Sequence, residues 1–127
     1  MTQIPTDRKY TKEHEWARID GDEAVVGITA HAVEQLGDIT MVTLPEVGTA
    51  VTAGEPFGDI DSVKAVSELF APVDGEITAV NETLVDRPEL VNESPYEAGW
   101  LVKVRVSGGT DGLLSADDYA KLVAEED

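Results

Sequence analysis

Few side chains in this 127-residue chain could do chemistry of their own. Five lysines are present, and between Lys12 and Lys103 the only one is Lys64. It stands in Asp59-Ile60-Asp61-Ser62-Val63-Lys64-Ala65-Val66-Ser67-Glu68, a lone ammonium among carboxylates and small residues. A primary amine so placed is open to acylation by a modifying enzyme, and it is equally the kind of residue that keeps a loop soluble. His14 and His31 are the only histidines, and neither has a serine or cysteine nucleophile in recognisable geometry. In Glu13-His14-Glu15, strand alternation would turn both carboxylates away from the imidazole, so neither a metal site nor acid–base catalysis is expected. Cysteine is absent, which excludes disulfides, thiolate nucleophiles and thiolate-bound metals. The glycine-rich stretches contain no GxGxxG and no terminal Gly-Lys-Ser/Thr, so they are not phosphate loops.

The elements that hold these residues read as short strands. Glu15–Ile19 and Glu23–Ile28 flank Asp20-Gly21-Asp22, a strong hairpin signal. Thr29 can cap a helix over Ala30–Leu36, with Gly37 as its stop. Ile39–Leu44 returns to strand and is closed by Pro45. Gly54-Glu55 and Gly75-Glu76 read as two similar turns, ten residues before Lys64 and eleven after it. If each half runs toward the midpoint, Lys64 lies at the tip of a hairpin between them. Trp100, Val102, Val104 and Val106 alternate with Leu101, Lys103 and Arg105, a half-buried strand. Residues 107–112 read as a flexible linker before a last helix that Ser115 caps and Leu114 staples to Tyr119. Glu125, Glu126 and Asp127 sit at the negative end of its dipole, and fraying is expected there. Trp16, Trp100 and Phe70 are expected as core anchors. The pattern predicts a mainly β fold, a small sandwich or barrel.

Composition narrows the partners. Nine Lys and Arg against 26 Asp and Glu leave a net charge of −17. Such a chain does not suit nucleic acid or an anionic lipid surface. No transmembrane run, signal-peptide core or transit segment is read, so a cytoplasmic, monomeric protein of one domain, 1–127, is expected. The matrix of mitochondria is the alternative if this is a processed eukaryotic form.

Asp-Ser-Val-Lys-Ala around Lys64 resembles the lipoyl-attachment site of the glycine cleavage system H proteins. The resemblance extends through Tyr10-Thr11-Lys12-Glu13-His14-Glu15-Trp16, Gly27-Ile28-Thr29, Leu36-Gly37-Asp38 and Leu44-Pro45-Glu46-Val47-Gly48. It continues through Ser67 to Glu76, Val80-Asn81, Pro88 to Tyr96 and Gly99-Trp100-Leu101. Asp61 stands where the family more often has Glu, and Glu13 where some members have Ser.

The resemblance implies a barrel-sandwich hybrid of the lipoyl/biotinyl-domain type. A lysine-bearing hairpin is expected at about 59–69 and a C-terminal helix at about 115–126. It implies a non-catalytic carrier with lipoic acid in amide linkage on Lys64. The implied partners are a pyridoxal-phosphate glycine decarboxylase, a tetrahydrofolate-dependent aminomethyltransferase, an FAD-containing dihydrolipoamide dehydrogenase and the lipoylating enzymes. Glu15 and Glu68 match positions of a cleft that shelters the loaded arm. A lipoyl domain of a 2-oxo acid dehydrogenase complex is a rival, but such domains often carry Asp directly before the lysine, where this chain has Val63. A biotin carrier normally sets its lysine between methionines. A lipoyl-relay donor and an unmodified interaction module are further alternatives.

Overall fold

The computed structural model describes residues 4–126. Strands β1 (Lys9–Tyr10), β2 (Glu15–Asp20) and β3 (Glu23–Ile28) form first, with β2 and β3 turning on Gly21-Asp22 in the register Asp20↔Glu23 to Glu15↔Ile28. The Thr29 hydroxyl then accepts from the Ala32 N–H at 3.3 Å and starts α1 (Ala30–Leu36), which ends at Gly37. There follow β4 (Ile39–Thr43), β5 (Ala50–Val51), β6 (Pro56–Ser62), β7 (Val66–Phe70) and β8 (Asp74–Val80). Two short helices, α2 (Thr83–Asp86) and α3 (Glu89–Glu93), precede β9 (Val102–Gly108) and α4 (Ala116–Glu126).

The strands form two antiparallel sheets, one six-stranded in the order β1-β2-β3-β9-β8-β5 and one three-stranded in the order β4-β6-β7. This is the mainly β fold that the turn-rich sequence predicts, in the barrel-sandwich arrangement that the family resemblance implies. The inner faces meet in one core that includes Val26, Val104, Ile77, Ile60, Leu69 and Val73. Each such side chain contributes roughly 2 kcal/mol, against well under 1 kcal/mol for an exposed ion pair such as Arg87–Glu89. Packing therefore decides the fold. A second cluster lies under α4, where Tyr10, Trp16, Tyr119 and Val123 are buried. Arg8 closes its edge, with the guanidinium 4.7 Å over the Trp16 ring and 5.4 Å over Tyr96. Among the described residues, no helix is long and apolar enough to cross a membrane.

Several sequence-based expectations need correction. Strand β9 starts at Val102, and Leu101 is fully buried in the main core rather than facing solvent with Lys103 and Arg105. Trp16 is a core residue at 1% exposure, but Trp100 and Phe70 are half-buried. Ser107 and Gly108 continue β9 and are not linker. Residues 11–14 form a turn, with His14 at φ 72, so strand alternation does not govern Glu13-His14-Glu15. Among the described residues, no three His, Asp or Glu gather to hold a metal. Helix α4 does start at Ser115, whose hydroxyl accepts from the Asp118 N–H at 3.2 Å. It runs to Glu126, and Asp127 of the expected fraying end lies outside the described residues.

The supposed second Gly-Glu turn is also a strand. Gly54 is in a turn, but Gly75 lies inside β8, paired with Val51 on one side and Val106 on the other. A Cβ on Gly75 would sit 2.1 Å from the Arg105 carbonyl oxygen, a backbone atom that cannot swing aside. Gly75→Ala is therefore expected to destabilise by about 3 kcal/mol. Gly112→Ala, which meets nothing within 4 Å, should stay within about 0.5 kcal/mol. Paired urea unfolding curves check this, and equal midpoints would refute the packing argument.

Candidate functional site

Strands β6 and β7 pair from Pro56↔Phe70 to Asp61↔Val66 and leave a short turn that carries Lys64. Ser62 holds this turn because a serine hydroxyl can capture backbone N–H groups two and three residues on. Its oxygen accepts from Lys64 N–H at 3.2 Å and from Ala65 N–H at 3.1 Å, and the Ser62 N–H donates to the Ala65 carbonyl at 2.8 Å. Lys64 thus stands exposed at the hairpin apex between β6 and β7.

A second loop supports the apex. The Val63 N–H donates to the Asp38 carbonyl at 3.0 Å. Asn92 of α3 clamps the residues on either side of Asp38, donating to the Gly37 carbonyl at 2.9 Å and accepting from Ile39 N–H at 2.8 Å. The Lys64 stem lies along Gly37, where an added Cβ would come within 3.0 Å of Lys64 Cε. With φ +80 as well, that position suits glycine on two counts.

Alternation along β7 sends Leu69 into the core and Val66, Glu68 and Phe70 to the opposite face. From Val66 to Phe70 that face runs about 13 Å. It leads to a groove of about 330 Å³ lined by residues that include Thr11, Glu13, Glu15, Gly54, Phe70 and Leu113. Glu15 is only 2% exposed. One carboxyl oxygen accepts from the Thr11 hydroxyl at 2.8 Å and the other from the Phe70 N–H at 3.3 Å. Burial pushes its pKa up to about 8; the two hydrogen bonds pull the other way, and the charge of Glu13 adds to the rise. Burial thus favours the neutral acid at Glu15. A cation brought beside it would favour the carboxylate and draw that proton off.

A family model described as glycine cleavage H-protein matches residues 8–126. The chain belongs to the glycine cleavage H-protein family. Relatives in the family include the glycine cleavage system H protein of Rubrobacter xylanophilus, 59% identical over 127 residues and covering 100% of both chains. That of Herpetosiphon aurantiacus is 55% identical over 126 residues, 99% of this chain and 98% of its own. The crystal structure of a glycine cleavage system H protein from Mycobacterium marinum superposes with a TM-score of 0.88 at 48% identity, covering 93% of this chain and 97% of that one. Members of this family are carrier components of the glycine cleavage system and not catalysts.

Of the three residues singled out in the sequence, the fold puts Lys64 at the apex and Glu15 in the groove. Glu68 is exposed on the strand between them, opposite Asp59, and does not line the groove. Phe70 was missed as a site residue; a lone aromatic in a short strand reads as core, and only the pairing of β7 with the Glu15 carboxyl reveals its place. Thr11 was missed as well. Its signal was available in part, because a threonine four residues before a glutamate across a tight turn can bond to it.

Proposed function

We propose that the chain is the lipoyl-bearing shuttle of the glycine cleavage system, with lipoic acid joined as an amide to Lys64 Nζ. The observation that carries this reading is the exposed apex of the β6–β7 hairpin, which presents one primary amine to solvent. The residues present fit the group. The Ser62-held turn fixes the attachment point, Gly37 leaves room for the stem, and a half-apolar strand face runs from there to a groove. Bound lipoate supplies a disulfide that can take up an aminomethyl group and two electrons, chemistry that a cysteine-free chain lacks.

In this reading the partners are the pyridoxal-phosphate glycine decarboxylase, the tetrahydrofolate-dependent aminomethyltransferase and the FAD-containing dihydrolipoamide dehydrogenase, with a lipoylating enzyme acting first. Amide formation removes the Lys64 charge, taking the net balance from −17 to −18. A tether raises the effective concentration of cargo at each visited active site to the millimolar range. Glu15 is the group that meets the amine end of the cargo. It gives up its proton as the cation arrives, while the groove excludes water that would hydrolyse the N–C–S linkage. Glu68, on the route between, adds negative potential along the strand.

Intact-mass measurement with peptide mapping on protein purified from its native host tests this. A lipoyl increment on Lys64 is expected. A bare lysine there, or an increment of biotin size, would overturn the proposal.

A further inference from the structure

The groove is assembled by a piece of chain far from it in sequence. Tyr119, fully buried on α4, places its hydroxyl 2.7 Å from His14 Nδ1 and 2.7 Å from Thr29 Oγ1. Thr29 also accepts from Ala32 N–H, so the Tyr119 hydroxyl ties the cap of α1 to the His14 ring. His14 holds a left-handed backbone at φ 72, a region in which His, Asn and Asp are enriched. The conformation is secured from several sides. The His14 N–H donates to the Thr11 carbonyl at 3.2 Å, its carbonyl accepts from Thr29 N–H at 2.9 Å, and its ring lies 4.8 Å from that of His31.

That turn is what places Thr11 against Glu15. The Thr11 hydroxyl accepts from the N–H groups of Glu13 and Glu15, each at 3.2 Å, and spends its hydrogen on the Glu15 carboxyl. The C-terminal segment grips the turn's other end too. Tyr10 exchanges two backbone hydrogen bonds with Leu114, and its ring stacks on Tyr119 at 4.7 Å. We infer that Tyr119 is a positioning residue for the groove: through His14 and the Thr11–Glu15 turn, its hydroxyl fixes the Glu15 carboxyl where the amine end of the cargo arrives. This rests on the proposed role of Glu15, and it gives the C-terminal helix a part in carrier function beyond covering the sheet.

The test uses the full chain, ¹³C-labelled, with the Glu15 carboxyl carbon followed against pH. Tyr119→Phe keeps the ring stack and removes only the hydroxyl. Its Glu15 midpoint is expected to rise by about one pH unit, as the loosened turn withdraws the Thr11 hydrogen bond that favours the carboxylate. His14→Ala should do the same by a substitution outside α4, which covers the case in which Tyr119→Phe folds poorly. His14→Asn keeps a hydrogen-bonding partner for the Tyr119 hydroxyl and tolerates the left-handed backbone, so it should hold the wild-type midpoint. Val123→Ala loosens the same helix without reaching His14 and should leave the midpoint in place. A midpoint unmoved in Tyr119→Phe and His14→Ala, or moved equally in Val123→Ala, would overturn the inference. In the lipoylated protein, Glu15→Gln and Tyr119→Phe should each shorten the lifetime of the aminomethyl adduct, the latter roughly fivefold. If Glu15→Gln leaves the decay unchanged, the role of Glu15 fails. If only Tyr119→Phe leaves it unchanged, the positioning role fails alone.

Discussion

Lys64→Arg is expected to abolish glycine–bicarbonate exchange in mixtures reconstituted with the decarboxylase, while the protein folds as before. Arginine keeps a cation and a long stem at the apex but has no primary amine, and its guanidinium stays protonated and is not acylated under these conditions. The loss should therefore be complete and not graded. The fold has no stake in the side chain. Lys64 is exposed, the turn is held by the Ser62 hydroxyl and the Asp38 carbonyl, and both act on backbone N–H groups that any residue supplies. Unfolding midpoints should differ by no more than about 0.5 kcal/mol between variant and parent. Two measurements, exchange and stability, thus separate a missing attachment point from a broken scaffold. Exchange that survived the substitution would mean that cargo travels by some other group, and the carrier reading would fall with it.

Legibility in the sequence followed the range of the interactions. The Asp-Gly hairpin, the Thr29 and Ser115 caps and the Gly37 stop are each settled within a few residues, and the structure places them where those residues require. The apex of the lysine hairpin was readable for the same reason, since its two strands are neighbours in the chain. Gly75 was not, because its close approach to Arg105 belongs to the pairing of β8 with β9. Leu101 was misassigned because alternation was carried one residue beyond the strand. Its N–H donates to Val26 and its carbonyl accepts from Asn81, contacts that no local pattern encodes. Helices α2 and α3 have four and five residues, too few for a helical period to show. The site divides the same way. Lys64 stands out by isolation, whereas Tyr119 reaches His14 across 105 positions and Glu15 reaches Phe70 across 55. Glu15 was the hardest to read, because its residue type argues for exposure and its fold denies it.

That denial has a measurable consequence for stability. In the unfolded chain Glu15 loses its proton near its ordinary value of 4.5, whereas in the folded chain it keeps it to about 8. Between those values the folded state binds more protons, so stability falls as pH rises. The contribution is fully present below 4.5 and is gone once pH has passed through about 8. Glu15→Gln removes the titration and keeps the shape of the protonated acid, with an oxygen that can still accept from the Phe70 N–H. Near pH 5 variant and parent should unfold at similar temperatures. At pH 9 the variant should be the more stable by about 4 kcal/mol, a rise in Tm of roughly 15 °C for a domain of this size. Comparing the two proteins at each pH cancels the general repulsion of a chain at −17. A constant Tm difference across that range would show that Glu15 ionises freely and that the groove does not hold it neutral. If the difference opens as expected, the same substitution should also make a poorer carrier, because glutamine has no proton to release to an arriving cation and no charge to hold it. A carboxyl that weakens the fold at neutral pH is then retained for what it does to the cargo, the pattern expected where a buried ionisable group serves a site and not the scaffold.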